Sequence, residues 1–436
     1  MNTEARTDLV QEPQDFSEVL DLVSEAGHIL LQNGAEIYRV EETMSRMARH
    51  FGVPASHFFV LSNGIFTTGT AKKTERRGDY AHVEFIPIKD IQFDKVAAVS
   101  QLSYDICADR CTLEQAKERI ASIQAMPPKP HWEQILASSV GAGGFCAVFG
   151  GGWLDCAAAA VVGLLVYAFI LFFSARHLSK ILRGICNATL ATLLSVLFWR
   201  IGFGHSLSNI IIGAVMPLIP GVAFVNGVRD LANSDYIAGI TRLTDALLGF
   251  FCISIGVITG FMAGGALMGE AIQLPGISIS PETASLLWQG LLSFFATAAF
   301  ACLFGVPRSS YLPCGLAGCL CWLCYLVLVR YAGCSVVIGT LLAAILTCIL
   351  SRNLAVLQRR PTTIYLICGL FPLIPGAGVF WSTYYLASQA FHPAAATGFN
   401  ALKAAIAIVL GIIIGGDLIR LWLRLRRAGQ AKRRQP

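Results

Sequence analysis

Apolar positions recur every three or four residues over 16–32, where Phe16, Val19, Leu20, Val23, Ala26, Ile29 and Leu30 share one face. This predicts a helix that stops near Asn33-Gly34. A second helix is predicted over 35–51: Ile37, Val40, Met44, Met47, Ala48 and Phe51 line one side, and Glu36, Arg39, Glu42 and Arg46 decorate the rest. Gly52 and Pro54 end it, and the short gap between the two helices makes them a hairpin. Strand-like stretches follow at about 57–63, 65–71 and 80–88, with the basic turn Lys72, Lys73, Arg76 and Arg77 before the last. Helices near 92–108 and 112–125 complete a small α/β unit. A capping box from Thr112 and Gln115 opens the final one. Met126-Pro127-Pro128-Lys129-Pro130 reads as a stiff linker.

Beyond the linker the amphipathic period gives way to long apolar runs. Ten can be marked, roughly 135–151, 153–174, 184–202, 207–228, 236–265, 284–305, 311–329, 334–351, 362–387 and 399–419. Most are long enough to cross about 30 Å of hydrocarbon as helices, which keep their backbone polar groups satisfied there. The first is short and glycine-rich. Trp132, Trp153, Trp199, Trp288 and Trp422 fall near segment ends, where an interfacial belt places them.

Composition sharpens this division. The chain has 436 residues, 55% hydrophobic and only 14% charged, whereas soluble domains carry roughly a quarter charged residues. Residues 1–134 hold 14 Lys+Arg and 20 Asp+Glu; residues 135–436 hold 19 and 7. The reading is a polytopic α-helical membrane protein of about ten transmembrane helices, preceded by a small cytoplasmic α/β domain. Its parts are that domain with its linker at 1–134, membrane segments at 135–268 and 284–420, and a basic tail at 421–436.

The net charge of +6 comes from short loops and the tail rather than from a basic soluble face, which excludes nucleic-acid binding as its meaning. Glu4, Asp8, Glu12 and Asp15, with no apolar run of signal length, make the N-terminus unlike a secretory or transit peptide. With the first domain inside, the inside connections hold Arg176, Lys180, Arg183, Arg229, Arg308, Arg352, Arg359 and Arg360, and the tail adds Arg420, Arg424, Arg426, Arg427, Lys432, Arg433 and Arg434. The outside connections hold only Arg200 and Arg330. This asymmetry predicts both termini in the cytoplasm.

Little catalytic chemistry is visible. His28, His50, His57 and His82 stand in no zinc, nucleophile-elbow or phosphate-loop spacing, and Arg39, Glu41 and Glu42 fit a solvated helix face. Of the 14 cysteines, only Cys107 and Cys111 precede the apolar region, and no disulfide framework follows. Cys319, Cys321 and Cys324 have no His or carboxylate nearby to complete a ligand set. Nothing calls for a metal or a cofactor.

The strongest internal signal is a repeat at a constant offset of 155 residues. PLIPG occurs at Pro217–Gly221 and again at Pro372–Gly376. The same offset pairs Phe145 with Phe300, Phe149-Gly150 with Phe304-Gly305, Gly163 with Gly318, Leu231-Ala232 with Leu386-Ala387, Ala246 with Ala401, Gly256 with Gly411 and Gly260 with Gly415. Each copy holds five spans, an odd number, so the second enters the bilayer from the opposite side. That is an inverted-topology repeat, recurrent among secondary transporters. Pro217 and Pro220, like Pro372 and Pro375, remove backbone donors inside an apolar span, so both helices are expected to break, with Gly221 and Gly376 just past the break. Bent helices at matching places in two inverted halves mark a substrate pathway.

Ionisable residues within spans are costly and few. Arg242 and Asp245 sit three apart on one helix face, where they can pair, and the offset aligns Asp245 with Asn400. Arg229-Asp230 closes the first PLIPG span, with Asn226 one turn before. Lys403 aligns with the apolar Leu248, and Asp417 with Arg420 reads as an interfacial pair. Asp245 is the first choice for a proton carrier, since an intramembrane carboxylate can exchange a proton in the working range. A static structural ion pair accounts for Arg242 and Asp245 equally well.

The run LLQNGAEIYRVEETMSRMARHFG at Leu30–Gly52, the stretch through Leu113-Glu-Gln-Ala, the proline-rich linker and the body with paired PLIPG resemble the threonine/serine exporter family, over nearly the whole chain. Members occur as one fused chain or as two subunits, and a split system of this type is associated with succinate export. The resemblance implies an inner-membrane exporter of small hydrophilic metabolites, threonine and serine first, driven by the proton motive force. Its cytoplasmic domain has been likened to hydrolases, but no residues here support catalysis. A zwitterion needs donors for its carboxylate and an acceptor for its ammonium, which Arg242 or Lys403 with Asp245 or Asp230 can supply; a dicarboxylate prefers cations alone. A passive channel and a membrane-anchored enzyme are the competing classes. Small residues such as Gly141, Gly143, Gly144 and Ala157–Ala160 on outer spans allow a homo-oligomer.

Overall fold

In a computed structural model, which describes residues 16–53, 56–71, 78–87, 91–173, 178–269, 272 and 285–433, the two segments of helical period form α1 (Phe16–Gln32) and α2 (Ile37–His50). β1 (Ser56–Leu61), β2 (Gly64–Ala71) and β3 (Gly78–Phe85) form an antiparallel sheet in the order β1-β2-β3, with Phe59 opposite Phe66 and Phe66 opposite Val83. α3 (Phe93–Cys107) and α4 (Leu113–Gln124) follow, and Thr112 with Gln115 makes the expected reciprocal capping box. The basic turn Lys72, Lys73, Arg76 and Arg77, the four N-terminal carboxylates, Arg176 and Arg434 lie outside the described residues.

The chain divides into two compact units, Met1–Ile91 with Lys95–Pro127, and Gln92–Asp94 with Pro128–Pro436. In the first, α1 is buried on more than the one face its period marks: Leu22, Ser24 and Leu31 are withdrawn from water together with Leu20, Val23 and Leu30. A Cβ at Gly27 would lie 2.5 Å from the Met44 sulfur, so glycine is what lets α2 approach α1 closely. The hydroxyls of Ser24 and Thr67 join α1 to β2 at 3.1 Å. At the edge of this core lies a hollow of about 270 Å³ bounded by Asp21, Glu25, His28, Tyr80, His82 and Glu84. His28 Nδ1 and Glu84 Oε1 are 2.7 Å apart, and Tyr80 donates to Asp21 at 2.8 Å. Burial, then that bond, pushes the Tyr80 hydroxyl up to about 12.

The second unit begins with α5 (His131–Val148), α6 (Trp153–Phe172) and α7 (Lys180–Arg200). α8 (Leu207–Val215), a short 3₁₀ turn at Met216–Leu218 and α9 (Gly221–Ala232) lead into α10 (Tyr236–Met268). α11 (Leu286–Leu303), α12 (Tyr311–Leu326) with a π-helical last turn, and α13 (Val336–Gln358) follow. α14 (Thr362–Leu370), a second 3₁₀ turn at Phe371–Leu373 and α15 (Gly376–Ala387) precede α16 (Phe391–Arg433). Among the described residues, seven helices are long and apolar enough to cross a membrane, or nine if each bent pair is one span. The tenth expected span, α5, forms as an 18-residue helix but is less apolar than the rest, because it opens with His131, Glu133 and Gln134 and continues through two serines and three glycines.

Each boundary of α14, its 3₁₀ turn and α15 lies 155 residues after that of α8, its 3₁₀ turn and α9, and α5 and α11 stand in the same relation. Ser138 Oγ donates to the Gly163 carbonyl at 2.9 Å, and Ser293 Oγ, 155 residues on, donates to that of Gly318 at 3.1 Å. Corresponding residues also meet. The rings of Phe145 and Phe300 are 4.9 Å apart; beside Phe145, Gly144 faces Ala296, the counterpart of Gly141, where a Cβ would lie 2.9 Å from the alanine methyl.

Candidate functional site

The two PLIPG motifs build the centre of the second unit. Pro217 and Pro220 have no N–H to continue the α8 ladder, so the helix tightens into the 3₁₀ turn, extends at Ile219 (ψ 128) and restarts at Gly221. The Gly221 N–H closes the break by donating to the Ile219 carbonyl at 2.8 Å. The second motif repeats this: Ile374 is extended (ψ 127), and Gly376 donates to the Ile374 carbonyl at 2.7 Å. The pairs bend by 58° and 42°, so the helix breaks expected at Pro217, Pro220 and Gly221, and at Pro372, Pro375 and Gly376, are present.

The breaks pack against each other reciprocally. A Cβ at Gly221 would lie 2.7 Å from the Phe371 ring and 2.8 Å from Ile374 Cδ1, while Gly376 lies under Ile219 and Met216, the residues corresponding to Ile374 and Phe371. Phe371 stacks edge-on to Phe300 at 4.5 Å and lies 5.8 Å from Phe145. The result is an apolar plug of rings and branched side chains from both halves, in which Met216, Phe371 and Ile374 are at most 2% exposed.

Charge lies along α9 beyond the first break. Asp230 is fully buried, Asn226 is 2% exposed, and Arg242 of α10 is 6% exposed. Arg242 Nη1 donates to Asp230 Oδ2 at 2.8 Å. Two charges withdrawn from water require such a partner, because either alone carries an uncompensated desolvation penalty. Arg229, half-buried, donates to the Thr363 hydroxyl at 3.1 Å and so ties the first bent pair to the start of the second. Thr363 itself is 1% exposed. On the other side, Thr383 Oγ1 of α15 donates to Ser254 of α10 at 2.7 Å.

The expected pairing of Arg242 with Asp245 is replaced by two different pairs. Asp245, three residues on, turns towards Lys180 of α7, whose ammonium lies 2.6 Å from both carboxylate oxygens at a site 40% exposed on the aspartate and 73% on the lysine. A corner of the chain therefore supplied Arg242 with a closer acceptor than its own helix did. Asn400 and Lys403 are exposed on α16, with the Lys403 ammonium over the Phe399 ring at 5.0 Å. The structure does not bring them to the buried cluster. Asp417 and Arg420 pair at 2.7 Å on the exposed surface, as expected.

Three polar groups carry no signal that the ionisable-residue reading used. Asp155, 4% exposed, accepts backbone N–H bonds from Gly152 at 2.9 Å and Ser206 at 2.8 Å, fastening the loop before α8 to the start of α6. At the corresponding place in the other half, Arg360 donates to Ser310 and, at 2.8 Å, to Ser309, and Ser310 donates to Gln358. Thr363 is the third, an ordinary hydroxyl until Arg229 is folded against it. Among the described residues, no group of three or more His, Cys, Asp or Glu side chains is placed to hold a metal ion.

Among the described residues, seven helices long and apolar enough to cross a membrane, together with two bent pairs broken at paired prolines, define a multi-pass helical membrane protein. The chain belongs to the threonine/serine exporter family: the family profile ThrE matches residues 21–263, and a second profile, ThrE_2, described as threonine/serine exporter, matches residues 289–416. It is similar to a "Probable threonine/serine exporter" of Mycobacterium tuberculosis, at 24% identity over 96% of this chain and 83% of that protein. A "Threonine/serine exporter" of Corynebacterium glutamicum is 23% identical over 94% and 83%. The "Probable succinate transporter subunit YjjP" of Escherichia coli is 24% identical over 55% of this chain and 92% of its own length. No solved structure matches.

Proposed function

We propose that this chain is an inner-membrane secondary transporter that exports threonine and serine, driven by the proton motive force. The carrying observation is the pair of breaks packed reciprocally at the centre of the membrane unit, with the buried Asp230–Arg242 pair beyond one of them. Ten spans, α5 included, form two five-helix repeats of inverted topology, and both termini lie in the cytoplasm; the constant offset and the Lys/Arg asymmetry support this. The apolar plug separates the two sides of the membrane in the state described. Asn226, Arg229, Asp230 and Arg242 line the pathway on one side of it, where a zwitterion finds both a guanidinium and a carboxylate. Asp230, buried and ion-paired, takes the proton-carrier role in preference to Asp245, whose lysine-bridged carboxylate is open to solvent or headgroups. Residues 1–134 act as a cytoplasmic gate or assembly module.

Succinate export is the second reading, favoured by the resemblance to the succinate transporter subunit over half the chain. A site of mixed sign supports the amino acid over the dicarboxylate. The test is efflux from cells preloaded in parallel with labelled threonine, serine and succinate, with and without an uncoupler. Uncoupler-sensitive loss of threonine or serine, reduced at least about tenfold by Asp230→Asn and less by Asp245→Asn, is expected; tenfold corresponds to about 1.4 kcal/mol. Exit of succinate alone transfers the proposal to dicarboxylates. Efflux indifferent to the uncoupler makes the protein a passive channel.

A further inference from the structure

At the positions corresponding to Asn226, Arg229 and Asp230, the second bent pair carries Trp381, Tyr384 and Tyr385, each 155 residues on. The backbones are closely matched: Pro220 has φ −76 and ψ 51, Pro375 φ −76 and ψ 48, and each starts a 12-residue helix. Both triplets therefore stand at the same distance along their helices from the break. One is hydrogen-bonding and charged; the other is wholly aromatic.

The aromatic triplet is packed as a corner. Trp381 and Tyr384 are edge-on at 5.8 Å and 88°, Trp381 and Tyr385 lie 5.8 Å apart at 32°, and Tyr384 and Tyr385 are 5.7 Å apart. Phe261 of α10 closes against Tyr384 at 5.6 Å. Trp381 is 3% and Tyr384 7% exposed, so these faces are shielded from water. Ring faces carry the negative part of the aromatic quadrupole, which attracts an ammonium group and repels a carboxylate, most strongly where water is excluded.

We infer that Trp381, Tyr384 and Tyr385 form a second substrate station that receives the ammonium group of a zwitterionic amino acid on ring faces and discriminates against dicarboxylates. This rests on the exporter reading above. In the inverted arrangement α9 and α15 leave their breaks towards opposite faces of the membrane, so the substrate meets guanidinium and carboxylate on one side of the plug and aromatic rings on the other. A dicarboxylate has a cationic partner in Arg229 at the first station and no cation among the three aromatic residues of the second, only neutral indole and phenol donors. Selectivity for an amine-bearing substrate is thus placed in the second half of the chain.

The test is the ratio of threonine to succinate efflux from preloaded cells expressing the full chain, normalised to the amount in the membrane. Trp381→Leu is expected to lower that ratio about tenfold or more, the scale of a desolvated cation–π contact, and Trp381→Phe, which keeps a ring face, to restore most of it. Tyr385→Leu, at the half-buried edge of the corner, carries the same test if Trp381→Leu does not reach the membrane. If wild type exports threonine and both leucine variants keep its ratio, the aromatic station is overturned and the exporter reading stands. If wild type exports neither threonine nor serine, both fall.

Discussion

Asp230 and Arg242 are 12 residues apart and meet across the corner between α9 and α10, both withdrawn from water. Removing one partner strands the other, so Asp230→Ala is expected to destabilise the membrane unit by about 3–5 kcal/mol. Replacing both with Asp230→Leu and Arg242→Met is expected to recover most of the melting temperature in detergent while leaving efflux abolished. A double variant as unstable as the single one would mean that the pair packs in a way hydrophobic residues cannot copy. The three-residue spacing that suggested Arg242 with Asp245 is a true local proximity, but local spacing ranks only partners on the same helix. Lys180 and Asp230 came from other helices, and their geometry is set by how α7, α9 and α10 pack. Asp155 escaped the search because a lone acid in the first turn after Gly152 looks like an ordinary helix start; its value lies in the Ser206 N–H, 51 residues away.

At the scale of elements, the prolines are the clearest case of a residue type dictating a structure. Pro217, Pro220 and their counterparts could not donate to a helical ladder, and both helices break there. What the prolines leave unstated is how near the two breaks come to each other. The Cβ position at Gly221 is already filled by Phe371 and Ile374, and Phe371 is 1% exposed and packed on the rings of Phe145, Phe300 and Phe304. Gly221→Val is therefore expected to cost about 1–3 kcal/mol through overpacking and to slow efflux more than a valine of equal size on the outer face, as at Gly416, where nothing lies within 4 Å. Equal effects of Gly221→Val and Gly416→Val on efflux would show that the meeting of the breaks has no role in transport. In the first unit, the amphipathic period located α1 and α2 to within two residues. It understated α1, because a one-face pattern cannot reveal that a second face is covered by residues distant in sequence.

For the whole molecule, the proposed orientation rests on where Lys and Arg lie between spans. Reporter fusions test it: a cytoplasmic reporter is expected to be active when joined after Pro436 or at Ser179, and an exported one when joined at Phe203 or Gly333. Activity of the exported reporter at the C-terminus would make the number of spans odd, removing α5 as a span and with it the five-plus-five arrangement. Among the described residues, seven helices and two bent pairs are long and apolar enough to span, and α5 is the helix whose crossing these fusions decide. Its low hydropathy has a physical counterpart in its packing, since Gly141 and Gly144 bring it against Phe300 and Ala296 of α11. A helix so covered needs less apolar surface of its own than one facing lipid on most sides.

The chain's order of residues was enough to specify the division into an α/β unit and an apolar one, the position of nearly every helix, the two breaks and the offset that relates them. These follow from local rules, namely period, apolar length, missing N–H donors and repeated motifs, each acting over a few residues. The partners of the charges, the reciprocal seating of the breaks under Phe371, Ile374, Met216 and Ile219, and the aromatic corner at Trp381 became visible with the fold. They depend on which distant side chain arrives first with the right shape and charge, and that is settled by helix packing rather than by spacing along the chain.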